Sequence, residues 1–139
     1  MHNKINSWAL SACIFSATPF MATAVSAAEL DANMVCAAMD VVACVDDSAC
    51  IQGTAKSFDL PEFVIFDTQK KVMRAGYESG HKGTSPVKTV ERSGDHLILQ
   101  GIENSRGWNL AINTKSGDMS GALAGEGVSF LIFGNCTSL

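Results

Sequence analysis

Positive charge, aromatic rings and long apolar runs are all scarce in this chain, and each scarcity removes a class of function. Ten Lys plus Arg stand against fourteen Asp plus Glu, a net charge of −4 over 139 residues. Only Lys70 and Lys71 are adjacent. No basic patch is therefore present to displace counterions from a nucleic acid or to hold an anionic membrane. Beyond residue 28 there is no run of about 18 apolar residues, so no stable membrane span is expected. The G-x-S-x-G elbow, the H-E-x-x-H pair and the G-x-x-x-x-G-K-[ST] loop are all missing. Neither His81 nor His96 has a second His or a carboxylate cluster at metal spacing. His81 reads as a loop histidine and His96 as a strand-edge residue. These absences call for no cofactor, no metal and no named catalytic residue. Triads and carboxylate pairs that assemble only in space remain open, so a small secreted hydrolase stays as an alternative.

What is present begins with an exit signal. Lys4 precedes an apolar stretch from Trp8 to Val25, interrupted by Ser, Thr and Pro19, and small residues Val25–Ala28 follow. That layout describes a cleaved secretory signal over 1–28, ending after Ala27 or Ala28. "LSAC" at Leu10–Cys13 is the rival, a lipobox that would lipidate Cys13. The apolar stretch before Cys13 is very short, and the run continues past it, which favours the plain signal. Residues 29–139 then form one small domain, periplasmic or secreted. It carries 9 Lys plus Arg and 14 Asp plus Glu, a net charge of −5.

Four cysteines survive the cut: Cys36, Cys44, Cys50 and Cys136. An even number in an exported chain points to two disulfides. Sequence leaves three pairings open; Cys44 with Cys50 and Cys36 with Cys136 is preferred. "CVDDSAC" at 44–50 has the wrong spacing for a redox pair, and its acids would raise a thiol pKa. A zinc site wants a second close pair, and there is none. A staple closing a loop is what remains, with Asp46 and Asp47 as turn formers.

From about Phe58 onward, short apolar runs alternate with turn residues about every ten positions. "EFVIF", "KVMRA", "PVKTVER", "HLILQG", "WNLAIN", "MSGALA" and "VSFLIFGNC" are seven candidate strands. Their connections are too short for crossover helices, so neighbours pair as hairpins. The expected fold is all-β: a small antiparallel meander of seven to eight strands closing into a β-barrel, lipocalin-like, with a sandwich as the alternative. Trp108, Leu110 and Ile112 alternate with polar or small residues. Gly117 supplies the turn after them, and Gly121 is read as a bend or bulge in the returning strand. Residues 29–45 fit either a helix capped by Asp31 or a strand, and Met39–Cys44 favours the strand. "FVIF", "LIL" and "FLIF" are apolar on both faces and ask for a second cover, such as a homodimer partner. "NCT" at Asn135–Thr137 matches a glycosylation acceptor, read as chance in a chain whose signal looks bacterial.

The spaced Cys36, Cys44 and Cys50, together with "PEFVIFD", "LILQGIENSRGWNLAINTKSGDMS" and the terminal "FGNCT", resemble a group of short exported proteobacterial proteins without assigned activity. The resemblance spans nearly all of 36–137 and implies a periplasmic domain, with no catalytic residue attached. Periplasmic inhibitors of C-type lysozyme are also small disulfide-bonded barrels. "YESG" at Tyr77–Gly80 is too short to stand for their signature loop.

The function expected is non-catalytic binding, either of a small apolar molecule between the strands or of a protein surface at the loops. A cavity would be lined by residues such as Trp108 and Phe130. The loop Gly76–Ser85, with Arg74, Tyr77 and His81, is the candidate rim, because Tyr and Arg most often anchor contacts. A structural or self-associating envelope protein is the third possibility.

Overall fold

The computed structural model describes residues 32–46, 49–76 and 80–139. The proposed signal segment, Cys13, Asp31, Asp47 and Tyr77 lie outside them. Nine strands follow one another: β1 Asn33–Val45, β2 Ile51–Gly53, β3 Phe63–Asp67, β4 Val72–Ala75, β5 Thr84–Ser93, β6 His96–Glu103, β7 Arg106–Asn113, β8 Asp118–Gly125 and β9 Val128–Ser138. A single 3-10 turn, Lys56–Phe58, separates β2 from β3. All pairings are antiparallel, in the order β2-β1-β3-β4-β5-β6-β7-β8-β9, and β1 also pairs with β9. The second pairing of β1 closes the sheet: eight strands form a barrel and β2 is an addition to its wall.

The sequence accounts for most of this directly. In β7, Trp108, Leu110 and Ile112 point inward and are buried, while Asn109 is exposed on the outer face. Period-2 alternation of this kind places one set of side chains in the core and the other outside. Asn104 and Ser105 both have positive φ (49° and 63°), a turn whose twist suits a two-residue hairpin between β6 and β7. Residues 33–45, ambiguous between helix and strand by composition, form a strand because β9 covers them along their whole length and β3 or β2 covers the other edge.

Two features differ from expectation. The register of β8 runs unbroken past Gly121, so that glycine marks no bulge. A Cβ there would collide with Leu110, which makes Gly121 a space for a core side chain. The register shifts lie instead at Ala38/Asp40 in β1 and Val87/Thr89 in β5. Strand β2, only three residues long, went unread because so short a segment carries no period.

The disulfides are Cys36–Cys136 and Cys44–Cys50. Cys36 and Cys136 face each other directly across the β1–β9 seam, with Cα atoms 4.0 Å apart, and both are buried inside the barrel. The seam that turns a sheet into a barrel is thus also covalent. Cys44 and Cys50 close the β1–β2 connection from the outside, six positions apart.

The interior divides into two clusters. Met34, Cys36, Phe66, Leu97, Leu99, Trp108, Leu110, Ile112, Met119 and Cys136 belong to the larger. Val41, Ala43, Ala55 and Phe130 form the smaller, with Phe58 and Leu60 packed on it. On the outside, Phe63, Leu131 and Phe133 are exposed, each about half accessible. The apolar outer faces read from "FVIF" and "FLIF" have no cover among the described residues.

Candidate functional site

Antiparallel connectivity sends alternate turns to opposite ends of the barrel. One end gathers the turns at 68–71, 94–95 and 114–117 together with the chain's last residue, and it is tied shut. Thr114 donates its backbone N–H to the Asp95 carbonyl at 2.8 Å, Lys115 Nζ lies 2.8 Å from Asp95 Oδ2, and Leu139 N–H donates to Asn33 at 3.0 Å. The Lys115 ammonium, first by hydrogen bond and then by charge, holds the Asp95 carboxyl below its ordinary 3.8. On this same end the Lys70 backbone N–H, donated to Asp67 Oδ1 at 2.8 Å, lowers the Asp67 pKa.

The opposite end borders the barrel's most apolar cavity. It carries the segment between β2 and β3, the β4–β5 loop and the turns at 104–105 and 126–127. Here β1 changes partner. It pairs with β3 up to Ala37, passes through the register shift after Ala38, and meets β2 only from Val41. The stretch of wall between is closed by Leu60–Glu62, anchored by the Ala38 N–H to the Glu62 carbonyl at 2.8 Å. Behind this patch, along the join of the two core clusters, lies a partly open cavity of ≈ 140 Å³. Its walls are almost wholly apolar: Ala38, Leu60, Val64, Met73, Trp108, Leu123 and Ile132 are the main contributors. An apolar cavity of about 150 Å³ accepts a molecule the size of benzene.

Trp108 forms one wall of it. Its ring packs against Phe66 at 6.2 Å between centroids and lies over Gly101 on the neighbouring strand, where any Cβ would collide with the indole. Only 8 % of Trp108 is exposed, and its Nε1 has no hydrogen-bond partner. Leaving such a donor unpaired costs about 1–3 kcal/mol, so the atom asks for an explanation.

A second pocket, ≈ 200 Å³ and mainly polar, adjoins the first. Arg74, His81, Lys82, Ser85 and Asn104 line it, and Pro61, Val64, Met73 and Glu103 are common to both. His81 Nε2 is 3.8 Å from Asp59 Oδ1. Ser85 is 3 % exposed and its Oγ has no partner.

Of the residues expected at the site, Arg74 and His81 border the polar pocket and Trp108 the apolar cavity, side by side at one barrel end. Tyr77 lies outside the described residues. Phe130, expected beside Trp108, does not line the cavity. It is held in the smaller cluster, 6.0 Å from the Phe58 ring, because the segment after β2 folds back over it. Lys82, Ser85 and Glu103 were missed. Lys82 and Ser85 sit within the loop singled out from the sequence. Glu103 ends a strand whose turn gave no reason to weigh it.

Among the described residues no group of three or more His, Cys, Asp or Glu is placed to hold a metal ion, and no helix is long and apolar enough to cross a membrane. No feature of them points to catalysis. The chain is a closed eight-stranded antiparallel barrel with one extra strand and two disulfides, bearing a partly open apolar cavity at one end. No family model matches it, and neither do curated proteins or solved structures.

Proposed function

We propose that this protein is a non-catalytic binding module of the bacterial envelope, exported to the periplasm or beyond, that holds a small apolar molecule in the end of its barrel. The observation that carries the reading is the ≈ 140 Å³ apolar cavity with an unpartnered indole N–H in its wall. Concave, mostly apolar sites with a few polar groups are where small molecules bind. Two disulfides support the compartment, since they persist where thiols are not kept reduced.

Trp108 is the only tryptophan after residue 28, so its emission reports on the cavity directly. Titration of the chain from residue 29 with toluene should give a saturable change, and Ala38→Phe, which fills the cavity, should abolish it. A response that rises without saturation in both proteins would sink the reading. Self-association is a second reading, favoured by exposed Phe63, Leu131 and Phe133. A strictly monomeric species in sedimentation at high concentration removes it.

A further inference from the structure

The two adjoining pockets have opposite character, and their contents name a ligand class more closely than the apolar cavity alone. This step rests on the reading that the barrel end takes a small molecule. The inner cavity has room for about six heavy atoms of an apolar body, judged by the benzene that similar cavities accept. Apart from Glu103, Asn109 and the Trp108 N–H its lining is apolar, so it suits the apolar body of a ligand better than a charged group. The outer pocket is different. Among the described residues Lys82 and Arg74 line it with Glu103 as the one carboxylate, while His81 Nε2 lies 3.8 Å from Asp59 Oδ1. Ser85 Oγ is buried there without a partner. A buried hydroxyl in a pocket that Lys82 and Arg74 also line can donate to an anion, and hydrogen bonds to ionised groups are the strong ones.

We propose that the site takes an anionic amphiphile: a carboxylate carried on one short apolar chain. The chain lies against Trp108 in the inner cavity, and the carboxylate sits in the outer pocket by Lys82, Arg74 and the Ser85 hydroxyl. Pro61, Val64 and Met73, common to both pockets, form the apolar passage between them. Glu103 at the same junction sets a limit on the head group's charge, and its removal should tighten binding. A cationic head would meet Lys82 and Arg74, and a neutral head would forgo their attraction.

The test uses the chain from residue 29 at pH 7.5 and low salt, with Trp108 emission followed during titration by sodium octanoate, 1-octanol and octylamine. Octanoate should bind tightest, roughly tenfold over octanol, with octylamine weakest. Lys82→Ala and Arg74→Ala should each move the octanoate-to-octanol ratio toward one, and Glu103→Gln should raise it. Both cations are exposed, so neither variant threatens folding; an unchanged urea midpoint checks this. Equal affinity for octanoate and octanol, tighter binding of octylamine, or an unchanged ratio in both alanine variants overturns the anionic assignment and leaves the barrel as an apolar binder. No saturable response to any of the three overturns both readings.

Discussion

Removing the two disulfides one at a time should reveal very different contributions, because they close loops of very different length. Cys36 and Cys136 are 100 positions apart, Cys44 and Cys50 only six. In the chain-entropy description a cross-link stabilises by restricting the unfolded chain, by about 4.7 kcal/mol for a loop of about 100 residues and about 2 kcal/mol for one of about six. The longer loop carries a second penalty on removal. Cys36 and Cys136 are buried in the larger cluster, so the double Ala variant also leaves a small void where the sulfurs were, whereas Cys50 is exposed. The assay is urea unfolding of the chain from residue 29, comparing wild type with the Cys36→Ala/Cys136→Ala and Cys44→Ala/Cys50→Ala double variants. With a slope of about 1.5 kcal/mol per M, the midpoint should fall by roughly 3 M for the first and roughly 1.5 M for the second. A small domain has about 5–15 kcal/mol in all, so the first variant should be near the edge of folding at 25 °C. Alkylation before reduction should label none of the four cysteines in the wild type. If removing Cys44–Cys50 costs as much as removing Cys36–Cys136, loop length is not what sets the contribution, and the covalent seam is not the main constraint on the unfolded chain.

Two other outcomes follow from the geometry. Gly101→Ala puts a methyl into the face of the Trp108 ring, which should cost about 1–3 kcal/mol in urea unfolding and shift the tryptophan emission maximum; an unchanged spectrum and midpoint would mean that the indole does not rest on Gly101. Asp95 titrates below its ordinary 3.8 because of Lys115, so it binds its proton less readily folded than unfolded. Its stabilising effect is therefore present above the unfolded pKa and lost as pH falls through the lower folded value. Lys115→Met should raise the Asp95 midpoint in carboxyl-detected NMR, and an unmoved midpoint would assign the shift elsewhere.

The outward Leu131 and Phe133 on β9 and the inward Phe130 and Ile132 show how far alternation reaches. A run such as "SFLIFG" announces a strand with apolar residues on both faces; it does not say which face is the core. That choice is made by register against β1 and β8, where Cys136 must meet Cys36 and Ile132 must meet Gly121. Phe130, expected to line a cavity with Trp108, sits elsewhere because the segment carrying a three-residue strand and a 3-10 turn, too short to carry a period, packs Phe58 against it.

Strand positions from Phe63 onward, the hairpin turns, the all-β class and the number of disulfides could be read from the chain, because alternation, turn chemistry and cysteine parity are local or countable properties; the pairing, a preference among three, is decided by the β1–β9 register. The short apolar strands also announced a closing barrel, which the β1–β9 pairing completes; neither the division of the core nor the cavity could be read. Each depends on β1 leaving β3 at Ala37 and meeting β2 at Val41, a change of partner written in no single segment. It leaves a gap that Leu60–Glu62 close from outside and no side chain fills from within. The joining of the two pockets is likewise tertiary: Pro61, Val64, Met73 and Glu103, from three strands and the loop before them, border both, a meeting that no single segment encodes.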